Sequence, residues 1–411
     1  MNIMQQKSIK LVFVDPDNNG TQSNKFYDMT ENTDGTFTAV WGRIGQSTST
    51  KAYSMRDWDK KYNEKIKKGY RDQTALFVVA SKKDFNNISD KVINKIVEDL
   101  LAFAHQTISS NYTISSEAVT QKQIDTAQDL LNDLSSIISN KPTDKKINNC
   151  LLEIYRTIPR KMKDVREHLI NFQKIHNEEQ LAYIQKILTQ EQDLLDVMRG
   201  QVNVHAAQNE QANEQKTILD AMGMDLWLPQ NNEVDQIKKL LKESKDLYHT
   251  AYCVKNRKTQ DKYDKYLSNV KNKKTELFWH GSRNENWWSI LSGGLVLRPT
   301  NAVITAKMYG IGSYFANLAR KSIGYTSLTG SYWARGNSNR AFLSLFDVHV
   351  GNQYVIKKHG DWCKQLTWKK LQDHGDYDSV YAPGGYDLKN DEFIVYKEEQ
   401  STIKYLVELR N

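Results

Sequence analysis

The sequence predicts a multidomain α+β protein built from a small β-rich module, an all-α bundle and a mixed α/β domain that is not of Rossmann type. Three observations carry this. A chain of 411 residues suggests two to three domains at about 100 to 200 residues each. From about residue 88 to 228 Gly and Pro nearly vanish, with only Pro142, Pro159, Gly200 and Gly223 present, and apolar residues fall into helical spacing. On either side of that zone the chain alternates short β-prone runs with turn signals.

The first zone, about residues 8 to 80, holds the runs Ile9 to Val14, Lys25 to Met29 and Phe37 to Ile44, separated by Asp17-Asn18-Asn19-Gly20 and Asp34-Gly35. This predicts a small antiparallel sheet. The stretch Asp57 to Lys68 follows without Gly or Pro and spaces Trp58, Tyr62 and Ile66 four apart, as one helix face requires. In the middle zone Ile124, Ala127, Leu131, Leu134 and Ile138 follow i, i+3, i+4 spacing, and Thr120 with Gln123 makes a capping box. Pro142 is expected to end that helix. Asp164 to Met198 is expected to hold two helices broken near His176-Asn177, while Gln201 to Gln215 is consistent with a helix extension or an insertion. The third zone, from about 235, brings back Gly, Trp and β-branched residues, with strand-like runs at Glu276 to His280, Ala341 to Val350, Asp378 to Tyr381, Phe393 to Lys397 and Ile403 to Leu409. No GxGxxG follows a strand and no P-loop occurs, so a dinucleotide here would not sit on a Rossmann helix terminus.

Charge is modestly basic: 57 Lys+Arg against 49 Asp+Glu gives +8, with a pI near 9.0. Residues 51 to 71 hold eight Lys/Arg against three Asp/Glu, which suits a polyanion partner and equally suits a solvated helix face. The three cysteines, Cys150, Cys253 and Cys363, lie far apart in sequence and outside any CxxC or Cys/His spacing. They read as free thiols of a reducing compartment, and no metal is expected. No run approaches the roughly 18 apolar residues of a membrane span, and Leu11-Val12-Phe13-Val14 is too short for a signal peptide. A soluble cytosolic or nuclear protein follows, with no membrane partner.

The residues that carry chemistry are His280 in Leu277-Phe278-Trp279-His280-Gly281-Ser282, Tyr314 in Gly312-Ser313-Tyr314-Phe315-Ala316-Asn317, and Glu392 heading Glu392-Phe393-Ile394-Val395-Tyr396. With Trp41-Gly42-Arg43 after a β run, the helical middle zone, and Tyr314 followed by Lys321-Ser322 and Tyr325, the chain resembles the DNA-dependent poly(ADP-ribose) polymerases over nearly its whole length. The resemblance implies a WGR DNA-binding domain at 1–86, a helical regulatory domain at 87–232 and a split-sheet, mixed α/β ADP-ribosyltransferase domain at 233–411. It also implies NAD⁺ as substrate, protein acceptors with automodification among the possible outcomes, and DNA strand breaks as a sequence-independent partner. That partner is the ground for expecting a nuclear protein.

Breaking the nicotinamide–ribose bond passes through an oxocarbenium-like state with a leaving group that needs no general acid. The site must therefore orient the nicotinamide, fix the ribose and place negative charge near the developing cation. By the resemblance, Gly281 presents its backbone to the carboxamide, Ser322 bonds it through its hydroxyl, Tyr325 stacks on the ring, His280 holds a ribose hydroxyl and Tyr314 walls the ribose pocket. Ser282 is a further candidate NAD⁺-binding residue by the resemblance, and Arg298 is a candidate substitute for the adenosine-binding arginine whose place Val296 takes. Ile311 stands where the family often has lysine. Glu392 is the candidate catalytic carboxylate, and strand alternation puts it with Ile394 and Tyr396 on one face, Asp391 on the other. Between Tyr381 and Glu392 the connection is short, which leaves mono- or poly-ADP-ribose transfer open. Trp41 and Arg43 would meet a DNA break through stacking and phosphate contact, and the helical zone would gate NAD⁺ entry. The alternative is a non-enzymatic DNA-end-binding adaptor with a degenerate transferase domain.

Overall fold

A computed structural model describes residues 7–15, 23–44, 46–74, 85–112, 119–138, 143–162, 164–175, 179–210, 216–298, 308–330 and 336–411. Its contacts divide the chain into two compact units, Met1–Ser81 with Gln106–Val202, and Lys82–His105 with Asn203–Asn411. The helical middle zone thus contributes residues to both.

In the first unit β1 (Ser8–Asp15), β2 (Ser23–Glu31), β3 (Thr36–Arg43), β4 (Thr48–Ser54) and β5 (Arg71–Asp72) form an antiparallel sheet in the order β4-β3-β2-β1-β5, with α1 (Trp58–Lys67) packed on it. Alternation buries Leu11, Tyr27, Met29, Phe37 and Ala39. Trp58 joins them, its ring edge-on to Phe37 at 5.0 Å. Tyr62 is half-buried and Ile66 exposed, so the predicted face of α1 is buried at its start only. β4 exposes nearly every residue, as an edge strand does, and has no apolar alternation to announce it. The Asp34-Gly35 turn is present, with Asp34 accepting from the Thr36 N–H at 3.0 Å. The Asp17 to Gly20 turn lies outside the described residues.

The helices are α2 (Lys91–Asn111), α3 (Gln121–Ile138), α4 (Asp144–Thr157) and α5 (Gln180–Glu210). In α3 all five predicted positions are buried. The capping box is reciprocal: the Gln123 N–H donates to Thr120 Oγ1 at 3.3 Å and the Thr120 N–H to Gln123 Oε1 at 2.9 Å. Pro142 and the expected break at His176-Asn177 fall outside the described residues. Two helices were expected across Asp164 to Met198, but the described residues 164–175 form two 3-10 turns, Val165–His168 and Phe172–Lys174. Asp164 and Asn171 each cap their own turn by accepting from the N–H two residues on. Asn148 then takes both the N–H and the C=O of Ile170, at 2.8 and 2.7 Å, in place of a helical ladder. The Gln201 to Gln215 stretch extends α5 as far as Glu210; beyond it 211–215 are outside the described residues. Arg156 donates to the Val14 carbonyl, Asn24 to the Arg160 carbonyl, and Arg71 forks onto Glu153, tying the sheet to α4 and its exit.

The second unit opens with the first part of α2, whose Ile93, Ile96, Val97 and Leu100 are buried in the main core. It continues with α6 (Ile218–Ala221), β6 (Met224–Trp227), α7 (Asn231–Leu241), β7 (Tyr248–Asn256), α8 (Arg257–Asn269), β8 (Thr275–Gly281) and α9 (Trp287–Gly293). The remaining strands are β9 (Ser313–Phe315), β10 (Arg340–His349), β11 (Gln353–Val355), β12 (Ser379–Ala382), β13 (Glu392–Val395) and β14 (Ser401–Arg410). They form two sheets, ordered β6-β7-β14-β10-β8 and β11-β12-β13-β9. Every pairing is antiparallel except β11 with β12. A doubly wound parallel sheet is thereby excluded, in line with the missing glycine fingerprint. β6 lies in the zone read as helical: Met224 to Trp227 run as an edge strand along β7, two residues short of Pro229. β10 and β14 are buried on both faces, which accounts for apolar residues at neighbouring as well as alternate positions along them.

Candidate active site

Among the described residues, a backbone bridge joins the two sheets of the second unit. The Trp279 N–H donates to the Ala316 carbonyl at 2.8 Å and the Ala316 N–H to the Trp279 carbonyl at 3.0 Å. On the other side of β9, Tyr314 pairs with Ile394 and Phe315 with Phe393. His280, Tyr314 and Glu392 therefore lie on three successive strands, β8, β9 and β13. The His280 Nδ1 is 3.2 Å from the Tyr314 carbonyl oxygen. A carbonyl can only accept, so Nδ1 carries the proton in that contact and, in the neutral ring, Nε2 is an acceptor. Phe315 and Phe346 stand edge-on to the imidazole at 5.9 and 6.0 Å and fix its plane.

The short helix Ala319–Ile323 holds the pieces together. A β-carbon at Gly281 would lie 1.9 Å from the Ser322 carbonyl oxygen, so only glycine lets β8 and this helix approach so closely. Ser322 donates through Oγ to the Trp279 carbonyl at 3.2 Å, which leaves hydroxyl lone pairs to accept from an amide. The next residue back, Lys321, sets its Nζ 2.5 Å from Glu392 Oε1 and 3.2 Å from the Asp391 carbonyl. Both side chains of that ion pair are mostly buried, at 16% and 15% exposed. The sequence motif includes Lys321 beside Ser322, but the pairing of Lys321 with Glu392 is a product of the fold.

The two adjacent acids have different surroundings. Asp391 accepts from the Gly384 N–H and from Asn317 Nδ2, both at 2.8 Å, closing the 382–391 loop. Glu392 faces Lys321 and the tyrosines. Burial, with Tyr396 and the Glu392 charge adding to it, pushes the Tyr314 hydroxyl well above its ordinary range. Burial and then Glu392 raise Tyr325, and the same pair of causes leads in pushing Tyr309 up to about 12. The Tyr314 hydroxyl is occupied by the turn before it, donating to the Gly310 carbonyl at 3.1 Å and accepting from the Tyr309 N–H at 3.0 Å. That turn requires Gly310, which has φ +75° and whose β-carbon would lie 2.1 Å from the Leu366 carbonyl oxygen. Ile311 between the two glycines donates its N–H to the Leu366 carbonyl. Tyr325 keeps 40% of its surface exposed.

Ser282 is half-buried and accepts from Asn286 Nδ2 at 3.1 Å, inside the turn that leads into α9. Arg298 follows α9 on a segment that Leu297 anchors by donating its N–H to Glu398 at 3.0 Å; Val296 on the same segment is exposed. Among the described residues no group of three His, Cys, Asp or Glu side chains is placed to hold a metal ion. Cys150, Cys253 and Cys363 are free.

In the first unit Trp41 and Arg43 border a groove of about 580 Å³, lined also by Phe13, Lys25, Lys65, Lys68 and Tyr70. Trp41 is half-buried against Tyr27, with ring centres 5.8 Å apart, and Arg43 is exposed. The Lys65 amine sits 4.0 Å above the Tyr27 ring and 5.3 Å from that of Tyr70. Burial, followed by the neighbouring Lys68 and Lys61, lowers its pKa.

The two sheets of the second unit, joined at a His-bearing strand with an acid at the head of the strand beyond, build a site that is not of Rossmann type. Residues 231–411 match the family described as poly(ADP-ribose) polymerase catalytic domain, and the chain belongs to the poly(ADP-ribose) polymerase family. A putative poly [ADP-ribose] polymerase-like protein, 100L, of Invertebrate iridescent virus 6 is 36% identical over 182 residues, covering 44% of this chain and 92% of that protein. Uncharacterized protein 101L of the same virus is 32% identical over 204 residues, 50% of this chain and 81% of its own length. Poly [ADP-ribose] polymerase 1 of Gallus gallus is 26% identical over 325 residues, which is 71% of this chain and 30% of that longer protein.

Proposed function

We propose that this protein is a DNA-break-activated ADP-ribosyltransferase that cleaves the nicotinamide–ribose bond of NAD⁺ and transfers ADP-ribose to protein acceptors, itself among them. Family membership supports NAD⁺-dependent ADP-ribosyltransferase chemistry. The observation that carries the reading is the Glu392 carboxylate, set against Lys321 at 2.5 Å on the strand beside Tyr314 and largely removed from water.

In this reading the Gly281 backbone and the Ser322 hydroxyl take the nicotinamide carboxamide, and the half-exposed Tyr325 ring stacks on the nicotinamide. His280 Nε2 accepts from a ribose hydroxyl, and the Tyr314 ring, its hydroxyl committed elsewhere, serves as a wall. Glu392 places negative charge beside the ribose as the bond to nicotinamide breaks, where weak screening makes it effective. It then accepts a hydrogen bond from the incoming acceptor hydroxyl. The compact 382–391 loop, closed by Asp391 on Gly384 and by the Gly385 N–H on the Leu388 carbonyl at 2.9 Å, favours short products.

The groove beside Trp41 and Arg43 supports the DNA half of the proposal, since stacking rings and four cations around one cleft suit a terminal nucleotide and its phosphates. The switch is supported by α2 and α5, each of which carries residues of both units. The test is incubation with labelled NAD⁺, with and without nicked DNA. Transfer that rises with the nick supports the proposal. Transfer indifferent to DNA removes the switch, and its complete absence leaves an adaptor. A ladder as opposed to a single shifted band decides polymer length.

A further inference from the structure

The basic run of residues 255–274 has no part in the site just described. It holds eight Lys/Arg against Asp261 and Asp264. Two of those cations are neutralised: Arg257 forks onto Asp225 and lies 3.6 Å from Asp220, and Lys274 lies 2.8 Å from Glu276. Lys258, Lys262 and Lys265 of α8 are exposed, and among the described residues no salt bridge engages them.

Helical geometry separates the charges. At about 100° per residue the three lysines fall within an arc of about 60°, while Asp261 and Asp264 lie on the neighbouring flank. Tyr263, 2% exposed, anchors the opposite face in the fold. Along the axis the lysines are about 6 and 4.5 Å apart, comparable to the roughly 3.4 Å per charge along one strand of a duplex. None of the large exposed apolar side chains of the described residues lies on α8. The helix therefore offers neither the apolar face of a membrane-surface helix nor an aromatic anchor for a protein partner.

We propose that the lysine flank of α8 is a second nucleic-acid surface, which binds the phosphate backbone of duplex DNA without reading sequence and without requiring a break. Such a contact would keep the catalytic unit on intact duplex while the chain moves along it. The surface is separate from the groove at Trp41 and does not depend on transferase activity.

The test uses the full chain and closed circular duplex DNA, which has no ends, with binding followed between 50 and 200 mM KCl. Replacing all three lysines, Lys258→Gln, Lys262→Gln and Lys265→Gln, is expected to flatten the log–log salt slope by about 2.7, at about 0.9 per phosphate contact. The fourfold rise in salt then costs the wild type about 40-fold more affinity than it costs the variant. Asp261→Asn with Asp264→Asn is expected to keep or steepen the slope. An unchanged slope and affinity in the triple variant overturns the proposal. So does Arg43→Ala alone abolishing closed-circle binding, or a triple variant that loses phosphatidylserine vesicles and keeps closed circles.

Discussion

Gly281→Ala tests whether the site depends on the close approach of β8 to the helix Ala319–Ile323. Gly281 does not occupy the positive-φ region, so alanine strains no backbone and the effect is steric. The new methyl would sit 1.9 Å from the Ser322 carbonyl oxygen and 2.8 Å from its carbon, against a practical limit of 3.0 Å for β-carbon contacts. Strand and helix must separate by about 1.1 Å, the difference between that limit and the shorter distance. Both obstructing atoms are backbone, so no side-chain rotation relieves the clash. The helix that moves also carries Lys321 against Glu392 and Ser322 against the Trp279 carbonyl, so these contacts loosen together. Overpacking of this kind costs about 1 to 3 kcal/mol, which lowers Tm by about 2 to 12 °C in a unit of this size. A misplacement near 1 Å reduces the rate about 100-fold. Thermal melting and nicotinamide release from NAD⁺ report the two effects. A variant that melts with the wild type and releases nicotinamide within about threefold of its rate refutes the reasoning.

The adjacent acids separate by assay: Glu392→Gln is expected to remove transfer and also to lower Tm by leaving the largely buried Lys321 without its carboxylate, whereas Asp391→Asn, which weakens the holds on Gly384 and Asn317, is expected to lower Tm while transfer persists. Lys65 loses its proton more readily than an ordinary lysine, and only the charged form attracts phosphate. DNA affinity should therefore fall with rising pH before the usual lysine value of 10.5 is reached, and Lys65→Arg should flatten that fall in a fluorescence titration. Asp99 on α2 accepts from Lys95 and from Arg340, each at 2.6 Å; burial raises its pKa, but those two cations outweigh burial and hold it below 3.8. A carboxylate depressed on folding stabilises above its unfolded pKa and loses that contribution as pH falls through its folded value. Asp99→Asn should cost about 1 to 2 kcal/mol at neutral pH, and denaturant melts should show the gap from wild type closing in acid.

What the sequence made legible follows from where burial is one-sided or complete. In α3 a single buried stripe and a capping box announce the helix, and in β10 and β14 burial on both faces leaves strands that are mostly apolar, with few polar interruptions. β4 was invisible because it exposes almost every residue, and β6 because four residues at a sheet edge carry too little pattern. The turns at 165–174 were read as helix because local side-chain caps and Asn148 satisfy the backbone there, and no periodicity records such bonds. His280, Tyr314 and Glu392 could be picked out from their segments, but neither the bridge through Trp279 and Ala316 nor the part of Lys321 has a signature in linear spacing. The division of the helical zone between two units was equally hidden, since α2 is one continuous helix in sequence and joins both.

The most direct measurement is the rate of nicotinamide release from NAD⁺ by the full chain in the presence of nicked DNA, for wild type and Glu392→Gln side by side. The account predicts steady release by the wild type and a fall of about 100-fold or more in the variant, the scale of losing one preorganised charge at the reacting centre. Equal rates in the two proteins, or no release by the wild type, would contradict it.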